Sequence, residues 1–187
     1  ASKHYSGYLP VGNTSGAGLG FLHYWLIESE GAPETDPVVF WFNGGPGCSS
    51  LDGFIYEHGP FRTAPTDPTK LVRFEGTWAK LANMVYLEAP AGVGFSYSDD
   101  KADYTTDDDK TAADNLEALE AFFKKFPNLK STSLFLTGES YAGVYTPTLA
   151  EAVLAAVDAG TYDGAPLAGI GVGNGCSGTE VGVCGGE

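Results

Sequence analysis

Residues 133–143, Ser-Leu-Phe-Leu-Thr-Gly-Glu-Ser-Tyr-Ala-Gly, constrain this chain more than any other stretch. They read as a short apolar strand, then G-x-S-x-G centred on Ser140, then the start of a helix. A sharp strand-to-helix turn of this kind lifts the serine oxygen clear of the backbone and leaves no room for side chains at the flanking glycines. The bare pattern also arises by chance, as a Gly-bounded turn with an ordinary exposed Ser. The strand before it and the helix after it favour a nucleophilic serine.

The segments around that turn predict an α/β fold. Residues 4–10 and 20–28 are aromatic and β-branched enough for two strands joined by a Gly/Asn/Ser turn. Tyr5, Tyr8, Phe21, Tyr24 and Trp25 are expected to pack that sheet rather than line a ligand surface. Residues 37–42, 84–88 and 168–172 are apolar runs of strand length, and 132–137 feeds the turn at Ser140. Unbroken apolarity marks strands covered on both faces, as in a parallel sheet. Residues 110–126 form the clearest helix: Ala112, Ala113, Leu116, Leu119, Phe122, Phe123 and Phe126 recur on one face, and Pro127 ends it. A capping box of Thr106 and Asp109 is expected at its start. A second helix should follow Ser140 to about residue 157, kinked or restarted at Thr146-Pro147. Residues 51–82 read as surface loops with at most a short helical turn, and 99–109 as a solvated acidic loop. A hairpin followed by β/β/α/β/α/β is the order of an open, mostly parallel sheet with right-handed crossovers. No internal repeat or interdomain linker interrupts it.

A chain of 187 residues can bury a real core as one domain. The net charge of −14 argues against nucleic acid or an anionic membrane as partner, and no apolar run is long enough to span a bilayer. The chain opens without Met or signal peptide, which reads as a processed or trimmed end. Asn13-Thr14-Ser15 is an N-glycosylation sequon, a weak signal by itself. Of the three cysteines, Cys176 and Cys184 are close enough to bridge a local loop. That leaves Cys48 either a buried free thiol or paired outside this chain. The Asp cluster in 99–109 lacks the D-x-D-x-D-G spacing of a calcium loop, so no metal and no cofactor is expected.

The run at 37–42 leads into Asn43-Gly44-Gly45-Pro46-Gly47-Cys48-Ser49-Ser50. A Gly-rich turn after a buried strand lets backbone N–H groups face open space. Neither G-x-x-x-x-G-K-[ST] nor G-x-G-x-x-G is present, so a phosphate cradle does not fit. An oxyanion-binding turn fits better than a purely structural loop, which needs no Gly-Gly pair.

Five motifs stand in order: Ser6-Gly7-Tyr8-Leu9, Trp41-Phe42 with the turn just quoted, Glu57-His58-Gly59-Pro60, Gly92-Val93-Gly94-Phe95-Ser96-Tyr97, and Gly138-Glu139-Ser140-Tyr141-Ala142-Gly143. With them the chain closely resembles, over essentially its whole length, the serine carboxypeptidases, including the lysosomal cathepsin A type. The resemblance implies an α/β-hydrolase with a mostly parallel central sheet, flanking helices and an N-terminal antiparallel hairpin. Residues 1–187 would be the N-terminal part of one such domain, an incomplete fold. It also implies that Ser140 is the nucleophile and that the backbone N–H groups of Gly45 and Tyr141 form the oxyanion hole. Asn43, Gly44 and Glu139, supported by Trp41 and Glu57, would hold the free carboxylate at a peptide's C-terminus. Cys48 would pair with a cysteine in the later half of the fold. The implied location is the secretory pathway, ending in a vacuole, a lysosome or the exterior. On the residues alone, Trp41 reads as core and Glu57 as a solvated loop acid.

The activity so implied is release of C-terminal residues from peptides through an acyl-enzyme on Ser140. Serine is a weak nucleophile and needs a general base. A substrate carboxylate beside Glu139 would be repelled if both were ionised; a shared proton removes the repulsion, so an acidic working range is expected. In α/β-hydrolase order, Asp and then His follow Ser. Asp158 and Asp163 follow Ser140, but no His does. His4, His23 and His58 precede it, and none is assigned as the base. The triad Asp and His are expected from a further portion of the protein or from a second chain after processing. These residues alone are expected to have little or no peptidase activity. Two other readings stand beside this one. The first is an acyltransferase with an alcohol acceptor, a branch that tends to carry Asp at the position of Glu139. The second is a non-catalytic protective or scaffolding partner.

Overall fold

Each unbroken apolar run forms a strand, and two helices cover one face of the sheet they build. The computed structural model describes residues 2–12 and 19–176. Its strands are β1 (His4–Val11), β2 (Gly20–Ile27), β3 (Val38–Phe42), β4 (Phe61–Ala64), β5 (Asp67–Arg73), β6 (Asn83–Leu87), β7 (Tyr97–Ser98), β8 (Leu134–Glu139) and β9 (Leu167–Gly173). The helices are α1 (Asp108–Lys125) and α2 (Ala142–Asp158). The main sheet runs β1-β2-β6-β3-β8-β9, with β7 added to β2. The β1–β2 hairpin and the β2–β6 pair are antiparallel; β6, β3, β8 and β9 are parallel.

All five residues of β3 are buried because its alternate side chains meet different cores. Val38, Phe40 and Phe42 face the helices, while Val39 and Trp41 join Met84, Tyr86 and Phe54 on the opposite side. On the helical side Phe40, Leu119, Phe122 and Phe123 are fully buried, and the rings of Phe40 and Phe122 meet edge to face at 5.1 Å. Tyr24 packs into this core as expected; Tyr5, 37% exposed, meets Phe126 at 5.6 Å at the rim of the same side, and Tyr8, 41% exposed, packs on the other face of the sheet against His23 and Tyr97.

Several local expectations are corrected. Residues 51–82 are more than loops: β4 and β5 pair as a separate two-stranded sheet, and a π-helical turn covers Gly53–Glu57. Nearly all of β5 is exposed, so no apolar alternation marks it, and Pro68 near its start weakens the strand signal further. At α1 the cap is Asp107, whose carboxylate accepts the Lys110 amide at 2.8 Å; the Thr106 hydroxyl meets that of Thr111 instead of forming a box with Asp109. The helix α2 continues through Pro147 without restarting, and the Thr146 hydroxyl donates to the Ala142 carbonyl at 2.5 Å. The strand expected at 168–172 is present but unburied: Ile170 and Val172 are exposed because β9 is the sheet edge among the described residues. The acidic loop buries Asp103, which accepts the Ser98 hydroxyl at 2.6 Å. Cys48 is free and exposed, not buried, and Cys176 is disulfide-bonded. The partner expected for Cys176, Cys184, and the sequon at Asn13 lie outside the described residues.

The corrected cap gives a direct test. Asp107→Ala is expected to cost about 1 kcal/mol in urea unfolding, and Thr106→Ala distinctly less. Equal costs at both positions would return the cap to Thr106.

Candidate active site

Strands β3 and β8 are parallel neighbours with Phe42 opposite Gly138, so the turns that follow them emerge side by side at the carboxyl end of the sheet. There the two turns touch. A Cβ built on Gly44 would come within 2.8 Å of Ser140 Cβ and 2.9 Å of the Glu139 carbonyl oxygen, and would overlap the Tyr141 amide nitrogen. Only glycine permits that approach. Ser140 has φ of +56°, a left-handed conformation that a residue with a side chain adopts only when its surroundings impose it. Those surroundings are specific. The Ser140 amide donates to the Gly173 carbonyl at 3.1 Å, and its own carbonyl accepts the Gly143 and Cys176 amides at 2.9 and 2.8 Å. Among the described residues, neither the Gly45 nor the Tyr141 amide has an acceptor.

Beside this junction stands a fully used amide. The Oδ1 of Asn43 accepts Trp41 Nε1 at 2.8 Å and the Gly53 amide at 2.9 Å. With both acceptor positions taken by donors, the NH2 must face the other way. It donates to Glu57 Oε1 and to Glu139 Oε1, each at 3.0 Å. The Asn43 backbone amide donates to Ser50 Oγ at 3.2 Å. One side chain thus holds two carboxyls, one from the π-helical turn and one from the end of β8. Burial pushes the Glu57 carboxyl up, the Asn43 hydrogen bond pulls it down, and the charges of Glu139 and Asp52 raise it again; the net direction is up. Trp41 is both core, at 5% exposure, and a donor to the site. Glu57 is half-buried rather than a solvated loop acid.

The histidines are engaged elsewhere. His58 lies in an aromatic box of Trp41, Trp78 and Tyr86, and burial lowers its pKa to about 4, so the ring is neutral. His4 accepts Trp25 Nε1 at 3.1 Å, and His23 pairs with Glu88. Sequence reasoning missed Ser50 and Gly53. Ser50 stood inside a quoted motif with no role assigned, and no spacing rule points from Asn43 to the backbone of Gly53.

The serine carboxypeptidase family model matches residues 1–183. The chain belongs to the serine carboxypeptidase family. It is 50% identical over 178 residues to the lysosomal protective protein of Mus musculus, covering 95% of this chain and 35% of that one. It is 51% identical over 155 residues to serine carboxypeptidase-like 21 of Arabidopsis thaliana, covering 82% and 31% respectively. Among solved structures it is similar to a prohormone-processing carboxypeptidase from Saccharomyces cerevisiae, with a TM-score of 0.76, 30% identity, and coverage of 93% of this chain and 39% of that one. The fold is therefore that of an α/β-hydrolase, and the chain spans about a third of the length of these curated relatives. Of the five motifs of this serine carboxypeptidase chain, those of Trp41, Glu57 and Ser140 meet at the junction, that of Gly92 wraps the Glu88 carboxyl nearby, and Ser6-Gly7-Tyr8-Leu9 forms part of β1.

Proposed function

We propose that the full-length protein is a serine-type carboxypeptidase that releases C-terminal residues from peptides through an acyl-enzyme on Ser140. The contact of Gly44 with Ser140 and Tyr141 carries this reading, because it brings two amides without protein acceptors beside one constrained serine. In this reading the Ser140 hydroxyl attacks the carbonyl of the last peptide bond. The oxygen of that carbonyl becomes negative and accepts the Gly45 and Tyr141 N–H groups, which need no rearrangement to receive it. The proton passes to a His and then to the departing amine, and water releases the acyl group. In this reading that His and the Asp that orients it are supplied by a further portion of the protein or by a second chain, because no His follows Ser140 here. These residues alone are inactive.

The Asn43 cluster supports exopeptidase specificity. A peptide's terminal carboxylate beside Glu57 and Glu139 shares a proton with them, and the raised Glu57 carboxyl favours that proton being present. The working range is accordingly acidic. An acidic range and the likeness to a lysosomal relative support a place in the secretory pathway, in a vacuole, a lysosome or outside the cell. Among the described residues no helix is long and apolar enough to cross a membrane.

A fluorophosphonate probe applied to the full-length protein tests the nucleophile. Labelling at Ser140 is expected, and an unlabelled protein would leave the scaffolding reading. Turnover of a peptide with a free C-terminus, compared with an activated sugar ester plus alcohol, then separates peptidase from acyltransferase. Peptide hydrolysis is expected to dominate.

A further inference from the structure

The motif Gly92-Val93-Gly94-Phe95-Ser96-Tyr97 takes no part in the chemistry above, yet it encloses a buried carboxyl–imidazole pair. Glu88, just past β6, is fully buried, and the Nδ1 of His23 on β2 lies 3.0 Å from its Oε2. The same oxygen accepts the Phe95 amide at 2.9 Å, and Oε1 accepts the Ser49 hydroxyl. The Ser96 hydroxyl donates to the Glu88 carbonyl at 2.6 Å and accepts the His23 amide at 2.8 Å. Gly94 has φ of +55°, and a Cβ there would overlap the Glu88 carboxyl, so this glycine is required by the carboxylate it wraps. A buried carboxylate is tolerated only with such a set of donors. Burial pushes Glu88 up; hydrogen bonds from His23, the Phe95 amide and Ser49, together with the His23 charge, outweigh it and the net direction is down.

Ser49 lies at the far end of the turn that begins at Asn43. Two hydrogen bonds close that turn on itself: the Cys48 amide to the Gly44 carbonyl at 3.0 Å, and the Asn43 amide to Ser50 Oγ. Gly45 sits within the closed turn, exposed to solvent, as are Pro46, Gly47 and Cys48. The Ser49 hydroxyl ties this loop to the buried Glu88 carboxyl behind it.

We propose that Ser49 and Glu88 are positioning residues of the oxyanion turn: the carboxylate, clamped by His23 and the Phe95 amide, holds the Ser49 hydroxyl and thereby sets where the Gly45 amide points. The proposal rests on the reading of Gly45 as an oxyanion donor. Such donors act only when preorganised, and a misplacement of about 1 Å can cost about a hundredfold in rate.

The test uses Ser49→Ala in the full-length protein, with peptide kinetics and the rate of fluorophosphonate labelling at Ser140. Both kcat and the labelling rate are expected to fall about tenfold to a hundredfold. The KM for peptide is expected to stay within about twofold, because carboxylate binding at Asn43 is untouched. Ser49→Thr, which keeps the hydroxyl, should regain most of the rate. Glu88→Gln keeps size and one acceptor but sets an NH2 against the Phe95 amide or the Ser49 hydroxyl. It should slow labelling in the same way, and it serves if Ser49→Ala does not fold. Wild-type labelling of Ser49→Ala, a loss confined to KM, or no recovery in Ser49→Thr overturns the proposal. A wild-type protein that does not label sinks the enzyme reading as well, and that result is distinct from equal labelling of wild type and variant.

Discussion

Gly44→Ala in the full-length protein is expected to lower kcat/KM for peptide hydrolysis by about 10²- to 10³-fold, the range seen when one oxyanion donor is lost. The added methyl carbon would lie 2.8 Å from Ser140 Cβ and 2.9 Å from the Glu139 carbonyl, and would overlap the Tyr141 amide. These are backbone or near-backbone atoms, so no rotamer change relieves the clash. The turn must move away from the bend, and Gly45 moves with it. In the proposed reading the two oxyanion donors belong to different turns, so separating the turns would spoil their joint action while leaving each turn locally intact. Gly171→Ala on β9 is the matched control: among the described residues its Cβ would meet only Thr137 Cγ2, at 3.6 Å, an ordinary contact. Its activity is expected to stay within about twofold of wild type. If Gly44→Ala hydrolyses peptide as fast as the control, with both proteins folded by circular dichroism, the two turns do not form one site.

What was legible in the sequence follows from how burial writes itself into residue choice. The strands β3 and β6 are buried at every residue, so 38–42 and 84–87 are apolar without interruption and could be read directly, while β8, buried at alternate residues, was legible from the apolar run 134–136 that leads into the turn at Ser140. The β4–β5 hairpin is exposed on nearly every residue and left no such trace. The elbow at Ser140 was legible because its backbone conformation and close packing demand glycine on both sides. Pairing was not. That β6 lies between β2 and β3 depends on contacts between distant segments, which no local pattern encodes. The carboxyl site has the same character. Asn43 and Glu139 are 96 positions apart and meet only because β3 and β8 are neighbours. Their roles came from resemblance, not from spacing. The Ser49–Glu88–His23 chain was invisible for the same reason: each residue alone passes for an ordinary turn serine, strand-end acid or sheet histidine.

The second large effect concerns charge. In the wild-type protein the KM of a peptide with a free C-terminus is expected to rise about tenfold per pH unit once pH exceeds the pKa of the shared proton, because binding then requires uptake of one proton. The same peptide as a C-terminal amide brings no carboxylate, and its KM should stay flat over that range. Asn43→Asp sharpens the contrast. It keeps an oxygen for Trp41 and Gly53 but replaces the NH2, which donates to Glu57 and Glu139 at 3.0 Å, with a second oxygen facing both. Three carboxyls then share one half-buried space, with two donors lost. Like charges and burial both raise a carboxyl pKa, as they already do for Glu57. A group whose folded pKa is raised contributes stability that is full below its unfolded value and lost as pH rises through the folded one. The variant should therefore match wild type most closely in acid and fall behind it toward neutral pH. At neutral pH the gap in urea unfolding is expected to reach about 3–5 kcal/mol, the cost of an uncompensated buried charge. A pH-independent gap would mean that the carboxyls do not interact. A peptide KM that ignores pH in the wild-type protein would remove the shared proton, and with it the reason for an acidic working range.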